Sequence, residues 1–374
     1  MGLKEQIQDQ AQDAGFDLVG VASTEPLPEA ERATLERLRS GMLGGLNWIT
    51  EDRVRLSCDP LRLLPSAHSV IVLGKGYLFR DPSDVDRSDI PRGRIACYAW
   101  GEDYHDFMPP RMARLMESLA AGLGRRPTSS FFVDSRPLAE KAVAVRSGVG
   151  WFGKNGCVIT RGHGSWVLLA EILTDLELEP DSPSRRDCGR CRICLDRCPT
   201  GAIAAPYVVD ARRCLSYLTI EHRGAIPLEL RPLMGDWIFG CDLCQELCPH
   251  NRVVPKVVDS ALIPRAAVGS RPALIPLLGL DRQAFNRLFR GSPLLRTKRR
   301  GLLRNVAVAL GNSRDPSAVP ALTDAMVDEE PLVRAHAAWA LGQIGGPAAR
   351  LALANALSRE VDGSVRLEIR QALP

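Results

Sequence analysis

The chain has 374 residues, 45% of them hydrophobic and 25% charged, an ordinary globular composition with room for two or three domains. Its net charge of +4 is too small by itself to indicate a nucleic-acid partner, though it leaves room for a local basic patch. The start shows no apolar stretch after a basic segment, and no run approaches the roughly 18 apolar residues of a membrane span, so a cytoplasmic protein with no membrane contact is expected.

In chain order, KEQIQDQAQDAG (4–15) has the spacing and exit glycine of a short helix, and FDLVGVAS (16–23) follows as a strand. SVIVLGKGYL (69–78) reads as a buried strand, Arg111 to Leu123 as a helix, SSFFVDS (129–135) as a short strand, and GSWVLLAEILTDLEL (164–178) begins as another. Helices interspersed with strands predict an α/β or α+β domain over 1–180, whose sheet order the sequence leaves open. The Pro- and Ser-containing stretch EPDSPSRRD (179–187) marks its end. No G-x-G-x-x-G follows a strand before position 188, so a nicotinamide site of the Rossmann type is not supported, and GKG (74–76) reads as a turn. DYHDFM (103–108) comes close to the D-x-H-x-x-G pattern of some cobalamin enzymes but ends in Met108, which makes His105 a structural or supporting residue.

Eight of the eleven cysteines fall between positions 188 and 248. Such clustering without a signal peptide points to metal rather than disulfides. CGRCRICLDRCP (188–199) has the C-x2-C-x2-C-x3-C-P spacing of bacterial ferredoxins, in which the fourth cysteine ligates the other cluster. CDLCQELCP (241–249) is a second run whose first cysteine is replaced by Ile238, and Cys214 is the nearest substitute. Crossing the ligands gives one [4Fe–4S] cluster on Cys188, Cys191, Cys194 and Cys248, and another on Cys198, Cys214, Cys241 and Cys244. A zinc site would instead pair two C-x2-C knuckles. Cys58, Cys97 and Cys157 are left over, and packing is the first reading of each. A two-cluster ferredoxin-like domain over 181–260 is a wire for single electrons, and residues alone leave its acceptor open.

Beyond the clusters, VALG (308–311) recurs as WALG (339–342), and Ala325-Met326 as Ala356-Leu357, at an offset of 31. Alanine-rich amphipathic segments at this period predict stacked helix pairs over 275–374, about two and a half HEAT-like units, with a plain helical bundle as the alternative. Leading into them, NRLFRGSPLLRTKRRGLLR (286–304) carries Arg287, Arg290, Arg296, Lys298, Arg299, Arg300 and Arg304 and no acid. It reads as a phosphate-binding patch or as a solvated helix face.

The segments VDSRPLAEKAVAVRSGVGWFGKN (133–155), CVITRGHGSWVLLAEILTDLELEPD (157–181), IACYAWGEDYHD (95–106) and CLSYLTIEHRG (214–224) closely resemble the epoxyqueuosine reductases, over nearly the whole chain. The resemblance implies a first domain holding cobalamin base-off, without an axial histidine, reduced by the two clusters. The substrate would be epoxyqueuosine at the wobble position of a tRNA anticodon and the product queuosine, the last step of that modification. Asp134 matches the family's proposed proton donor, although D-S-R-P-L-A-E by itself reads first as a helix start. Arg53, Cys97, Asn155, Val158 and Ser216 match corrin-contacting positions, with Tyr217 beside Ser216, while Arg53 also suits a solvated charge and Cys97 and Val158 plain core. Arg296, Lys298, Arg299 and Arg300 would contact the tRNA, with the target nucleotide flipped from its stack. Trp48, Trp100 and Trp151 could stack on bases but fit core packing better. An unidentified donor would supply electrons, and a monomer holds every part required. The competing functions are a cobalamin reductase of a small halogenated or epoxide molecule, which would not need a basic helical tail, and an electron carrier, which would not take up corrinoid.

Overall fold

A computed structural model describes residues 2–79, 90–255, 259–265 and 268–373. The chain divides into two units. One comprises Met1–Phe79, Glu102–Ala211 and Leu243–Leu262, the other Arg80–Gly101, Arg212–Asp242 and Ile263–Pro374.

The first unit is built on a four-stranded sheet. Helix α1 (Leu3–Asp13) buries Ile7 and Ala11, one turn apart, and leads into strand β1 (Leu18–Ser23). Strand β2 (Ser69–Gly76) has all eight residues buried, which explains its apolar run from Val70 to Leu73. Helix α2 (Tyr104–Leu123) is followed by β3 (Ser129–Phe132), helix α3 (Glu140–Arg146) and β4 (Val167–Thr174). The strand order is β1-β2-β4-β3 and every pairing is antiparallel, so this unit is α+β. Helix α2 begins seven residues before the expected Arg111. Pro109 and Pro110 lie inside it, and burial of Phe107 and Met108 and the Asp103 cap on the His105 amide carry the helix through them. Under α3 lies a core of Val72, Phe132, Leu138, Val143, Ala144 and Leu173.

In the second unit the strand Trp237–Phe239 pairs in parallel with Arg94–Ile95, and Ile238 is fully buried. The position where a first cysteine was expected is thus spent on core packing. The helices α4 (Lys298–Ser313), α5 (Val319–Ala325), α6 (Pro331–Ile344), α7 (Gly346–Arg359) and α8 (Gly363–Ala372) form two pairs and a half, as the period predicted. The recurring glycine has a physical reason. A Cβ on Gly311 of α4 would lie 2.7 Å from the Trp339 ring of α6, and one on Gly342 of α6 would lie 2.9 Å from Ala372 of α8. Both mark places where neighbouring helices touch backbone to backbone.

Candidate active site

Asp134 follows β3 in a left-handed conformation, φ 42°, and α3 begins only at Glu140. It therefore does not cap that helix, and the helix-start reading of D-S-R-P-L-A-E is corrected. Its side chain is 42% exposed. The Tyr104 hydroxyl donates to Asp134 Oδ2 at 2.8 Å, and His105 Nε2 lies 3.5 Å from the same oxygen. His105 Nδ1 is 2.8 Å from Asp103 Oδ1. The bond to Asp103, then that to Asp134, push the imidazole up to about 9 against the opposing effect of burial, so His105 is a cation at neutral pH. Both ring nitrogens face carboxylates, Nδ1 in a hydrogen bond and Nε2 at 3.5 Å. No spacing in the sequence joins the start of α2 to the end of β3, so the partnership of residues 103–105 with Asp134 is visible only in the fold.

Arg53 braces the Asp134 loop. On the short helix Glu51–Ser57, it donates through Nη2 to the Ser135 carbonyl at 2.8 Å, and its guanidinium lies 5.1 Å from the Trp48 ring centre. Trp48 is 51% exposed, against the expectation of core packing, whereas Trp151 is buried and Trp100 half-buried.

Cys188, Cys191, Cys194 and Cys248 all lie in the first unit. Burial, then Cys188, Cys248 and Cys191, push the Cys194 thiol up to about 11, and burial with Cys188, Cys191 and Cys157 raises Cys248. These four thiols influence one another electrostatically, and four cysteine sulfurs suit an iron–sulfur cubane. The turn 153–155 touches both cysteine runs. Lys154 Nζ donates to the carbonyls of Gly189 at 2.6 Å and Cys191 at 2.9 Å, and Asn155 Nδ2 reaches the Cys244 carbonyl at 3.5 Å. Asn155 and Val158 are both buried. A buried polar set secures the second run, with Asn251 Nδ2 donating to Ser165 Oγ at 2.8 Å and to the Gln245 carbonyl at 2.8 Å. None of the eleven cysteines, all of them described, forms a disulfide. Cys58 and Cys97 are buried, and Cys157 is half-buried.

In the second unit Cys214 precedes the helix Leu215–Ile220, which carries a half-buried Ser216 and a buried Tyr217. The Cys97 amide donates to Asp242 Oδ2 at 2.7 Å, beside Cys241 in sequence. Of the seven basic residues at 286–304, Arg304 is fully buried. It donates to the carbonyls of Leu218 at 2.6 Å, His222 at 2.7 Å and Gly224 at 2.8 Å, and burial pulls it down to about 9. The neighbouring Asn305 donates to the Thr219 and Ile238 carbonyls. Arg304 is thus a structural clamp, which corrects its place in an exposed phosphate patch. Arg299 pairs with Asp328, and Arg296 with Glu221. Lys298 and Arg300 are exposed, and Arg300 comes only within 4.0 Å of Glu330.

Comparison with known proteins gives three family matches: a 4Fe-4S double cluster binding domain at 187–251, epoxyqueuosine reductase QueG at 58–135, and HEAT repeats at 293–374. An epoxyqueuosine reductase of Xanthomonas campestris is 40% identical over 91% of this chain and 95% of its own. The crystal structure of an epoxyqueuosine reductase with an epoxyqueuosine-modified tRNA-Tyr stem loop superposes with a TM-score of 0.92, at 34% identity, over 99% of this chain and 98% of that one. The Bacillus subtilis enzyme, solved with its Asp134 catalytic loop swung out of the active site, superposes with a TM-score of 0.92 at 32% identity, over 100% of this chain and 99% of that one.

Proposed function

The chain belongs to the epoxyqueuosine reductases, and on that footing we propose how its residues divide the work of reducing epoxyqueuosine to queuosine at the tRNA wobble position. The observation that carries this reading is the likeness over more than nine-tenths of the chain, double-cluster segment and repeats included. The reaction adds two electrons and two protons to the epoxide, breaks both C–O bonds, and leaves an alkene and water.

Cys188, Cys191, Cys194 and Cys248 hold one [4Fe–4S] cluster, and Cys198, Cys214, Cys241 and Cys244 the other, passing electrons inward from a donor that the chain does not specify. Cobalamin, when bound, supplies the cobalt-centred reduction that opens the epoxide. Arg53, Cys97, Asn155, Val158, Ser216 and Tyr217 contact the corrin. His105 would support Asp134 rather than the cofactor, with Nδ1 held by Asp103 and Nε2 facing Asp134.

Asp134 delivers the proton to the departing oxygen. A carboxyl group suits that task only if it is recharged, and the His105 imidazolium stands 3.5 Å from Oδ2 with a proton to give. Tyr104 holds the same oxygen in place, and Asp103 orients the imidazole. Lys298 and Arg300 contact the tRNA backbone, with Arg296 and Arg299 beside them fixed by their carboxylate partners. The protein works as a cytoplasmic monomer, with corrin binding in 1–180, the clusters in 181–260 and the RNA-binding tail in 275–374.

The test is anaerobic reconstitution with iron, sulfide and cobalamin, then nucleoside analysis of epoxyqueuosine-containing tRNA. Full cofactor loading without conversion would refute the assignment.

A further inference from the structure

The first cysteine run is interleaved with arginine. Residues 185–198 hold Arg185, Arg186, Arg190, Arg192 and Arg197 against Asp187 and Asp196, a net +3 in 14 residues where the whole chain carries +4. All five arginines are exposed. Cysteines that turn toward one centre leave the residues between them facing outward, so the charges gather on the outside of the cluster loop. The two acids offset little of this. Asp196 lies 3.5 Å from Arg192 in an exposed pair, and Asp187 accepts the Gly189 amide at 2.7 Å.

Exposed apolar side chains stand among these cations. Ile193 and Leu247 are both exposed, and each directly precedes a cysteine of one quartet, Cys194 and Cys248. The Leu247 amide closes the short helix Leu243–Glu246 by donating to the Leu243 carbonyl at 3.2 Å, and that helix packs against Ile193–Asp196. Exposed Tyr207 is tied to the same loop. Its amide donates to the Lys154 carbonyl at 3.1 Å, and Lys154 Nζ holds the Gly189 and Cys191 carbonyls. Apolar and aromatic groups ringed by arginine form the centre and rim of a protein interface, whereas an RNA backbone is met by cations alone.

We propose that this face docks an acidic single-electron carrier protein, which reduces the cluster of Cys188, Cys191, Cys194 and Cys248. The inference rests on the cluster assignment given under the proposed function. In that assignment Ser216, two residues after Cys214, and Asn155, bonded to the Cys244 carbonyl, contact the corrin. The other quartet therefore belongs to the cofactor end and this one to the entry end. One electron passes at each encounter, from the carrier, which is oxidised, to the cluster, which is reduced. Two encounters supply the two electrons of one turnover. An electron carrier must leave after each transfer, so its interface is small and draws its speed from charge. Steering by opposite charge raises encounter rates about 10- to 1000-fold and fades as salt screens it.

The test is stopped-flow reduction of reconstituted holoenzyme by a reduced acidic [2Fe–2S] ferredoxin. The wild-type rate should fall about tenfold or more between roughly 0.01 and 0.15 M ionic strength. Arg190→Glu with Arg192→Glu, and separately Arg185→Glu with Arg197→Glu, should each lower the low-salt rate about tenfold or more and flatten its salt dependence. The second pair lies outside the three closely spaced cysteines and carries the test if the first loses iron. Reduction by the methyl viologen radical cation should not slow, and affinity for epoxyqueuosine-containing tRNA should be unchanged. A wild-type ferredoxin rate indifferent to salt, or charge-reversed variants that keep it, would overturn the proposal. So would equal slowing with both reductants, which would make the arginines a control on cluster potential, or a loss confined to tRNA affinity, which would make the face an RNA contact. Wild-type clusters that methyl viologen fails to reduce would refute the cluster assignment itself.

Discussion

Replacing Asp103 by Asn tests the proton supply to Asp134 directly. Asp103 is the larger of the two influences that raise His105 from 6.5 to about 9, the other being Asp134. The whole displacement corresponds to about 3 kcal/mol of preference for the imidazolium, at roughly 1.4 kcal/mol per pH unit. Asparagine keeps the size of the side chain and removes its charge, so the imidazole midpoint should fall by about 1 to 2 pH units. Two readouts follow. In single-turnover reduction of epoxyqueuosine tRNA, the alkaline limb should move down by that amount. In folding, a base whose midpoint is raised contributes stability fully present below its ordinary value and lost as pH rises through the folded one. The variant should therefore be less stable than wild type at pH 6 and indistinguishable from it at pH 10. An alkaline limb displaced by less than about half a pH unit would refute the role given to Asp103 and His105.

Asp134→Asn should retain both clusters and cobalamin and lose most turnover, and retention of full activity would remove Asp134 from the mechanism. Arg304→Met leaves three buried carbonyls without their donor, a loss of about 3–5 kcal/mol and roughly 10 °C in thermal midpoint, checked by scanning fluorimetry. Lys298→Ala and Arg300→Ala should leave that midpoint alone and weaken tRNA binding, each reducing the salt slope of log affinity by roughly 0.7–0.9. Lys154→Met removes a positive charge beside the Cys188–Cys191 loop and should make the reduction potential of the cluster there more negative, measured by redox-titrated electron paramagnetic resonance.

Features repeated along the chain were legible in the sequence. Cysteine spacing announced the clusters because ligand geometry allows few spacings, and the unbroken apolar run of β2 announced a strand covered on both faces. The period of 31 announced the helix pairs, and its recurring glycine had a reason that only the packing of α4, α6 and α8 displays. What stayed hidden depends on residues far apart in sequence. Asp134 looked like a helix cap because its neighbours share that chemistry, and only the start of α3 at Glu140 decides against it. The partnership of Asp134 with Tyr104 and His105 joins the end of one strand to the start of a helix 30 residues earlier. Arg304 was indistinguishable from its basic neighbours, because charge counts do not show which side of a helix is covered.

The Arg304 clamp has a consequence for how the protein can be cut. The tail begins with a basic segment proposed to contact RNA, yet its first long helix supplies the donors for the carbonyls at the end of the segment that starts with Cys214. Shortening the chain before Arg304 would leave those carbonyls bare and slacken the backbone that follows Cys214. With Cys214 as a cluster ligand, as proposed, loss of the tail should register as unstable iron content as well as weaker RNA binding, and the repeats would serve as a foundation of the redox centre rather than a detachable handle.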